Sequence, residues 1–74
     1  MDFSNALQHL KDEVKMQRKG WNGKGMYIQI QIPDANSKMT LPYLFMKTAD
    51  DMFVPWLASQ TDMLADDWCI YDDI

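Results

Sequence analysis

The sequence contains only one cysteine, Cys69, and one histidine, His9, among its 74 residues. A single cysteine cannot form an intrachain disulfide, which fits a reducing compartment. A structural zinc site needs several cysteine or histidine ligands at suitable spacing, and these two residues lie far apart in the sequence. We therefore expect neither a disulfide nor a metal ion, and we predict no cofactor.

Long hydrophobic runs and an excess of positive charge are also missing. No apolar stretch is long enough to span a membrane, and the first residues lack the basic segment of a signal peptide. The formal net charge is −4, and aspartates are concentrated after residue 49, which opposes binding of nucleic acid to a basic face. The expected protein is cytoplasmic, with no membrane and no nucleic-acid partner.

The length and the side chains that are present favour association. Seventy-four residues are enough for one domain, predicted over residues 1–74, and a chain of this size buries only about 60% of its unfolded surface. Such domains usually gain stability from a disulfide, a metal or a partner subunit. The seven methionines and three tryptophans exceed what one thin core covers, and these residue types are enriched in interfaces. We therefore predict a homo-oligomer.

The first predicted element is an amphipathic helix over residues 3–14. Its apolar side chains recur at steps of three and four residues, and either Asp2 or Ser4 can cap its start. Towards its end the pattern changes to an alternation of apolar or long side chains with polar ones over residues 14–19. This alternation indicates a short strand.

Three further segments, at residues 26–32, 41–47 and 53–57, predict strands. The first alternates isoleucine and methionine with tyrosine and glutamine and is stopped by Pro33. Pro55 interrupts the third segment, and proline cannot donate a backbone hydrogen bond. We therefore expect the third strand at an edge of the sheet, or beginning late.

A capping box and a closing strand complete the pattern. The Ser59 hydroxyl and the Asp62 carboxylate can each accept a hydrogen bond from the other residue's backbone N–H, which starts a short helix over residues 60–66. Alternation from Trp68, reaching as far as Ile74, predicts the last strand. The resulting fold class is α+β, with an N-terminal helix, an antiparallel β-sheet and a short helix before the last strand.

The residues that could carry catalysis do not form a recognisable set. His9 lies beside the apolar stripe of the first helix, and Cys69 lies in a strand where a small inert side chain is the usual role. Adjacent Asp66 and Asp67 point in different directions and are expected to form a solvated face. The sequence therefore predicts a protein that is not an enzyme.

The loop at residues 20–25 leaves two interpretations open. Glycine backbone can approach a phosphate closely, Lys24 supplies positive charge, Trp21 offers a stacking surface, and Asn22 can bind a base or ribose edge. The alternative is a hairpin turn with Asn22 and Gly23 at its corner, Trp21 packed on the core and Lys24 solvated. Composition alone favours the turn.

The order of several short motifs along the chain is that of a known family. A Trp-Asn-Gly motif begins at Trp21, Pro-Trp at Pro55, Thr-Asp at Thr61 and Asp-Trp at Asp67. With further matching residues from Phe3 onwards, these motifs span nearly the whole chain. The sequence resembles a family of small phage and prophage proteins, long described as a domain of unknown function, that includes the second type of Thoeris anti-defence protein.

This resemblance implies that the protein is a sponge for a nucleotide signal. Members of the family bind the cyclic ADP-ribose isomer that host TIR-domain enzymes make, and they sequester it without degrading it. They form homotetramers with ligand pockets at subunit boundaries, and some also hold cyclic dinucleotides at separate sites. Action in the host-cell cytoplasm is implied as well.

The resemblance also implies a set of ligand-binding residues in the glycine loop and at the start of the second helix. These are Trp21, Asn22, Gly23, Lys24, Thr61 and Asp62. The tryptophan would stack on a base, the asparagine would hydrogen-bond, the glycine would allow close approach and the lysine would face a phosphate. The threonine and aspartate would add a hydroxyl, a backbone N–H and an acceptor for a ribose.

Some features compete with these roles. Asp62 can instead close the capping box, and Trp21 can instead pack on the core. The sequence has Glu13 where relatives carry a glycine at the end of the first helix, and its loop at residues 34–38 is short. Two alternative functions are a phage structural or host-protein-binding module without a small-molecule ligand and, third in order, a nucleotide hydrolase.

Overall fold

The protein folds as a helix on one antiparallel sheet, with a second, short helix before the last strand. The computed structural model describes residues 1–22 and 24–72. In this part of the chain the elements are α1 (Phe3–Lys11), β1 (Met16–Arg18), β2 (Tyr27–Gln31), β3 (Tyr43–Lys47), β4 (Phe53–Pro55), α2 (Gln60–Leu64) and β5 (Trp68–Ile70). The strand order is β4-β3-β2-β1-β5, and every pairing is antiparallel. The predicted α+β class is confirmed.

Helix α1 is shorter than predicted because a specific motif ends it. Asp2 caps its start by accepting a hydrogen bond from the Asn5 backbone N–H at 2.9 Å. At the other end, the Glu13 N–H donates to the Leu10 carbonyl at 3.0 Å and the Val14 N–H reaches back five residues at 3.0 Å. These two hydrogen bonds form a Schellman motif, which needs a residue in the left-handed conformation. That residue is Glu13, with a φ of 66°. Glu13 thus occupies a conformation that favours glycine.

The strands lie where the alternation predicts them, but most are shorter. Met26 and Ile32 fall outside β2, and Ile32 is 46% exposed. Tyr27, whose side chain lies on the face of β2 opposite to that of Ile28, is also buried. The Tyr71 ring packs on it, with the ring centroids 4.9 Å apart. Pro55 lies in the edge strand β4, as expected.

The C-terminal elements follow the sequence pattern closely. The predicted capping box at the start of α2 is present, and the helix ends two residues earlier than expected. The last strand begins at Trp68 as predicted. Its predicted extension to Ile74 reaches beyond the described residues.

The core lies between α1 and the face of the sheet that carries Met16 and Ile28. Their side chains share that face with Trp68, since Met16 pairs with Ile28 and Ile70, and Ile70 lies two residues after Trp68. The buried cluster consists of Ala6, Leu10, Met16, Ile28 and Trp68. No helix in residues 1–22 and 24–72 is long and apolar enough to cross a membrane.

Candidate ligand-binding site

Trp21 follows β1 and leans against the core without being fully covered. Its indole meets the Trp68 ring edge-on, with centroids 5.5 Å apart and planes at 80°. The Trp21 Nε1–H points to Asp62 Oδ1 at 3.5 Å. Trp21 is half-buried, so part of its indole surface remains accessible. Trp21 therefore packs on the core and also has surface left for a ligand.

Asp62 is held by the helix that it caps and by a cation from β1. Its backbone N–H donates to Ser59 Oγ at 3.0 Å, and its Oδ2 accepts from the Ser59 N–H at 3.4 Å. Its Oδ1 accepts from Arg18 Nη1 at 2.8 Å. Burial raises the pKa of this carboxyl, but the hydrogen bonds from Arg18 and Ser59 together outweigh burial and lower it. Asp62 is therefore an ionised acceptor whose orientation is fixed.

The carbonyl of Asp62 also fastens the core tryptophan to α2. Trp68 Nε1–H donates to the Asp62 backbone oxygen at 2.9 Å. The Trp68 side chain is buried, and its ring also packs against Phe3 at 5.4 Å and Trp56 at 6.1 Å. The start of α2 and the Trp21 indole thus rest on the same buried ring.

The remaining predicted residues lie on the surface around this pair. Thr61 is exposed on α2 next to Asp62, and Asn22 is exposed next to Trp21. Lys24 is exposed in the turn that Gly25 closes with a φ of 76°. Within residues 1–22 and 24–72, no hydrogen bond or ion pair joins Lys24 to α2. Gly23 lies outside the described residues.

Two residues that the sequence analysis did not assign to the site join the loop to α2. Arg18 Nε donates to Asp67 Oδ1 at 2.8 Å, and Asp67 Oδ2 accepts from the Gly20 N–H at 2.8 Å. The Arg18 hydrogen bond, followed by that of Gly20, lowers the pKa of the Asp67 carboxyl despite some burial. The prediction of a solvated face is wrong for Asp67, because β5 pairs with β1 and brings Arg18 beside it.

The chemical character of this region suits binding better than bond breaking. Its accessible groups are part of an indole, an amide, a hydroxyl and an ammonium, at Trp21, Asn22, Thr61 and Lys24. The Asp62 carboxylate is ion-paired and its pKa is lowered, so it is poorly suited to act as a general acid. Within the described ranges, no group of three or more histidine, cysteine or acidic residues could hold a metal ion.

A second concave surface lies at the other end of the sheet. It encloses about 310 Å³ and is lined by Gln31, Tyr43, Phe45, Phe53, Val54 and Pro55. Phe45 and Phe53 meet edge-on at 5.7 Å, and Phe53 is 65% exposed. The sequence motifs do not point to this surface, although aromatic residues at alternate positions in two paired strands share one face.

Comparison with known proteins agrees with the resemblance seen in the sequence motifs. The sequence model of the Thoeris anti-defense 2-like domain matches residues 1–71. The chain is 37% identical over 83 residues to Thoeris anti-defense 2 of Bacillus phage SP01, covering 95% of this chain and 93% of that protein. The resemblance is thereby confirmed. The chain belongs to the Thoeris anti-defense 2-like family.

Proposed function

We propose that the protein binds the cyclic ADP-ribose isomer made by host TIR-domain enzymes and sequesters it without degrading it. Family membership supports a phage anti-defence role that acts on the Thoeris system. Sequestration of the signal in the host-cell cytoplasm would block host immune signalling. We propose cyclic dinucleotides as additional ligands.

The observation that carries this proposal is that residues 20–22, which we call the Trp21 loop, are joined to the start of α2 by hydrogen bonds. Trp21 Nε1 lies 3.5 Å from Asp62 Oδ1. The Trp21 indole packs on the buried Trp68 ring, and the Asp62 carbonyl accepts from the Trp68 indole N–H. An adenine can stack on the accessible part of the Trp21 indole, since base–aromatic stacking contributes about 1–3 kcal/mol per base. Asn22 then lies next to the ring, where its amide can pair with a base or ribose edge.

The other proposed ligand contacts are polar and charged. Lys24 and the glycine backbone at Gly23 would face the phosphates, and the Thr61 hydroxyl would bind a phosphate or ribose oxygen. A carboxylate has about four acceptor positions. Three hydrogen bonds to the Asp62 carboxylate, from Arg18, Trp21 and Ser59, leave it able to accept one more from a ribose hydroxyl.

A sponge needs a dissociation constant well below the concentration of its signal. Micromolar binding corresponds to about −8 kcal/mol and leaves much of a scarce messenger free. Because immobilising loops on binding weakens affinity, a site that is already rigid before binding has the advantage. The bonds among Arg18, Asp62 and Asp67 supply such rigidity on one side of the proposed pocket.

We further propose that the protein is a homotetramer and that a neighbouring subunit completes the pocket. Many large apolar side chains are exposed in the isolated chain, among them Leu41, Met52, Phe53, Leu57 and Leu64. Burial of such side chains between subunits would stabilise a chain with a small core. A neighbouring subunit would also exclude water from the ligand phosphates.

Retention of ligand separates this function from its alternatives. Purified protein is incubated with the cyclic ADP-ribose isomer, desalted and heat-denatured, and the released nucleotide is analysed by chromatography. Intact ligand is expected. Altered products would indicate the hydrolase, and no retained nucleotide would contradict the proposal.

Single substitutions locate the site in the same assay. Trp21→Ala and Lys24→Ala are expected to lose retention, whereas Lys11→Ala removes an exposed lysine on α1 and should retain ligand normally. A sizing column checks that each variant keeps the assembly of the unaltered protein. Normal retention by Trp21→Ala would exclude the loop as the site.

The second candidate function is a protein-binding module without a small-molecule ligand. The exposed aromatic depression lined by Phe45 and Phe53 is the observation that favours it. The two functions differ in one observable, because a protein-binding module retains no nucleotide in the desalting experiment.

A further inference from the structure

The Arg18 guanidinium holds two carboxylates that come from different parts of the chain. Its Nη1 donates to Asp62 Oδ1 at 2.8 Å, and its Nε donates to Asp67 Oδ1 at 2.8 Å. Asp62 belongs to α2, and Asp67 lies immediately before β5. A guanidinium presents several N–H donors in a fixed planar fork, so binding both carboxylates also fixes their relative position.

Asp67 extends this connection to the loop that carries Trp21. Its second oxygen accepts from the Gly20 N–H at 2.8 Å, and its backbone carbonyl accepts from the Lys19 N–H at 3.1 Å. A Cβ atom on residue 20 would lie 2.9 Å from Asp67 Oδ2. Gly20 therefore permits an approach that any larger residue would hinder.

Asp62 extends the same connection to the Trp21 side chain. The oxygen that accepts from Arg18 also lies 3.5 Å from the indole Nε1 of Trp21. Arg18 is thus linked to the Trp21 loop by two routes. One passes through Asp67 to the Gly20 backbone, and the other passes through Asp62 to the Trp21 indole. Both routes end within the surface that we propose for the ligand.

The position of this network makes it more effective than an ion pair on an open surface. The exposed side-chain fractions are 16% for Arg18, 14% for Asp62 and 28% for Asp67. Limited access of water reduces the screening of these charges. Arg18 is charged at neutral pH like any arginine, and its hydrogen bonds to Asp67 and Asp62 raise its pKa further.

We propose that Arg18 is the positioning residue of the ligand site: through Asp62 and Asp67 it holds the Trp21 loop and the start of α2 in the geometry that binds ligand. This inference rests on the proposed function and deepens it. Arg18 acts without touching the ligand, and Asp67 serves the same purpose. The site is thus rigid because one cation binds both of its halves.

Two conservative variants test this role. Arg18→Lys keeps the charge but lacks the planar fork, and Asp67→Asn keeps the shape but loses the charge that faces Arg18. Each is expected to weaken binding of the TIR-derived cyclic ADP-ribose isomer about tenfold or more, measured by calorimetric titration, because a charge-assisted hydrogen bond is lost. Asp51→Asn is the matched control, since it removes the charge from another 2.8 Å ion pair, with Lys47, on a different part of the sheet. Lys47 itself stays in place, because its Nζ also donates to the Gly25 carbonyl at 3.0 Å.

A second readout needs no ligand. In the unaltered protein, the Gly20 amide should be protected from hydrogen exchange and the Trp21 indole N–H should give one sharp NMR resonance. Arg18→Lys and Asp67→Asn should speed exchange at Gly20 and shift or broaden the indole signal, whereas Asp51→Asn should change neither. A double variant, Trp21→Phe with Arg18→Lys, should weaken binding less than the sum of the two single changes.

The outcomes separate the inference from the function. If the unaltered protein binds the cyclic nucleotide and Arg18→Lys binds it equally well, the positioning role is overturned and the sponge function stands. If the unaltered protein binds no nucleotide, the function fails. In that case the Gly20 exchange and Trp21 resonance still decide whether Arg18 holds the loop, and unchanged spectra in both variants overturn that part as well.

Discussion

The two ends of the sheet differ in how their side chains are satisfied. At the β1–β5 end, Trp68 is 1% exposed, its indole N–H is bonded, and Arg18 is paired with two carboxylates. At the β3–β4 end, Phe53 is 65% exposed and Tyr43 is 39% exposed. The difference shows that one end is stabilised within the chain, whereas the other end offers apolar surface for contacts outside it.

The β3–β4 end is protected from one kind of contact. Trp56 N–H donates to the Leu44 carbonyl and Thr48 N–H donates to the Met52 carbonyl on either side of β4, so Val54, midway between Met52 and Trp56, directs its backbone groups towards β3. Phe53 and Pro55 therefore direct their backbone groups away from the sheet, and the proline has no N–H to donate. Addition of another strand there is discouraged, because an edge without regular donors is a poor template.

The largest expected difference between the two ends is in stability. Trp68→Ala should lower the free energy of unfolding by about 3–5 kcal/mol, because it removes a buried ring on which three other aromatic rings pack. In the single chain Phe53→Ala should change it by no more than about 0.5 kcal/mol, because most of that ring is already exposed there. Any larger loss comes from subunit contacts and should shrink on dilution, so urea unfolding is measured at a series of protein concentrations. Similar losses in the two variants would contradict the contrast between the ends.

The end of α1 offers a smaller change of opposite sign. Glu13→Gly should raise the free energy of unfolding by about 1 kcal/mol, because a left-handed conformation costs a residue with a Cβ about 1–2 kcal/mol and glycine gives part of that back as chain entropy. Asp12→Gly is the control, since Asp12 has a φ of −89° and gains nothing from glycine. Thermal unfolding of the two variants compares them, and a loss of stability in Glu13→Gly would refute the account of this helix end.

Acid should weaken the β1–β5 end through its two paired carboxylates. The pKa values of Asp62 and Asp67 are lowered in the folded protein, so these carboxylates bind protons more weakly when folded than when unfolded. Their contribution to stability is present above the ordinary carboxyl pKa of about 4 and is lost as the pH falls below it through the lowered folded values. Asp67→Asn should flatten this dependence, which unfolding measurements at a series of acidic pH values would detect. An unchanged slope would contradict the role of the ion pairs.

Most of the fold could be predicted from local sequence pattern, whereas the ion pairs of Arg18 beside the candidate site could not. Alternation of apolar and polar residues predicts the strands. Ser59 and Asp62 predict the capping box, because the two partners lie three residues apart in the sequence. The apolar pattern predicts the end of α1 too late, because Glu13 takes a conformation that a residue other than glycine disfavours. Such a helix end is specified by the backbone bonds that it completes rather than by residue type.

The ion pairs of Arg18 depend on contacts that no short pattern contains. Arg18 is separated from Asp62 by 44 positions and from Asp67 by 49. Their proximity follows from the pairing of β1 with β5, which are the first and last strands in the sequence. The neighbours of Asp67 in the sequence contain no partner for it, so the sequence predicts a solvated aspartate. The family motifs pointed to Trp21 and Asp62, whereas only the fold shows what connects them.

Calorimetric titration of the purified protein with the TIR-derived cyclic ADP-ribose isomer, followed by chromatography of the released ligand, separates a sponge from its alternatives. We expect a dissociation constant well below micromolar, recovery of unaltered nucleotide, and loss of binding in Trp21→Ala without loss of the folded assembly. Absence of binding heat and of retained nucleotide in the unaltered protein would contradict the account and favour the protein-binding alternative.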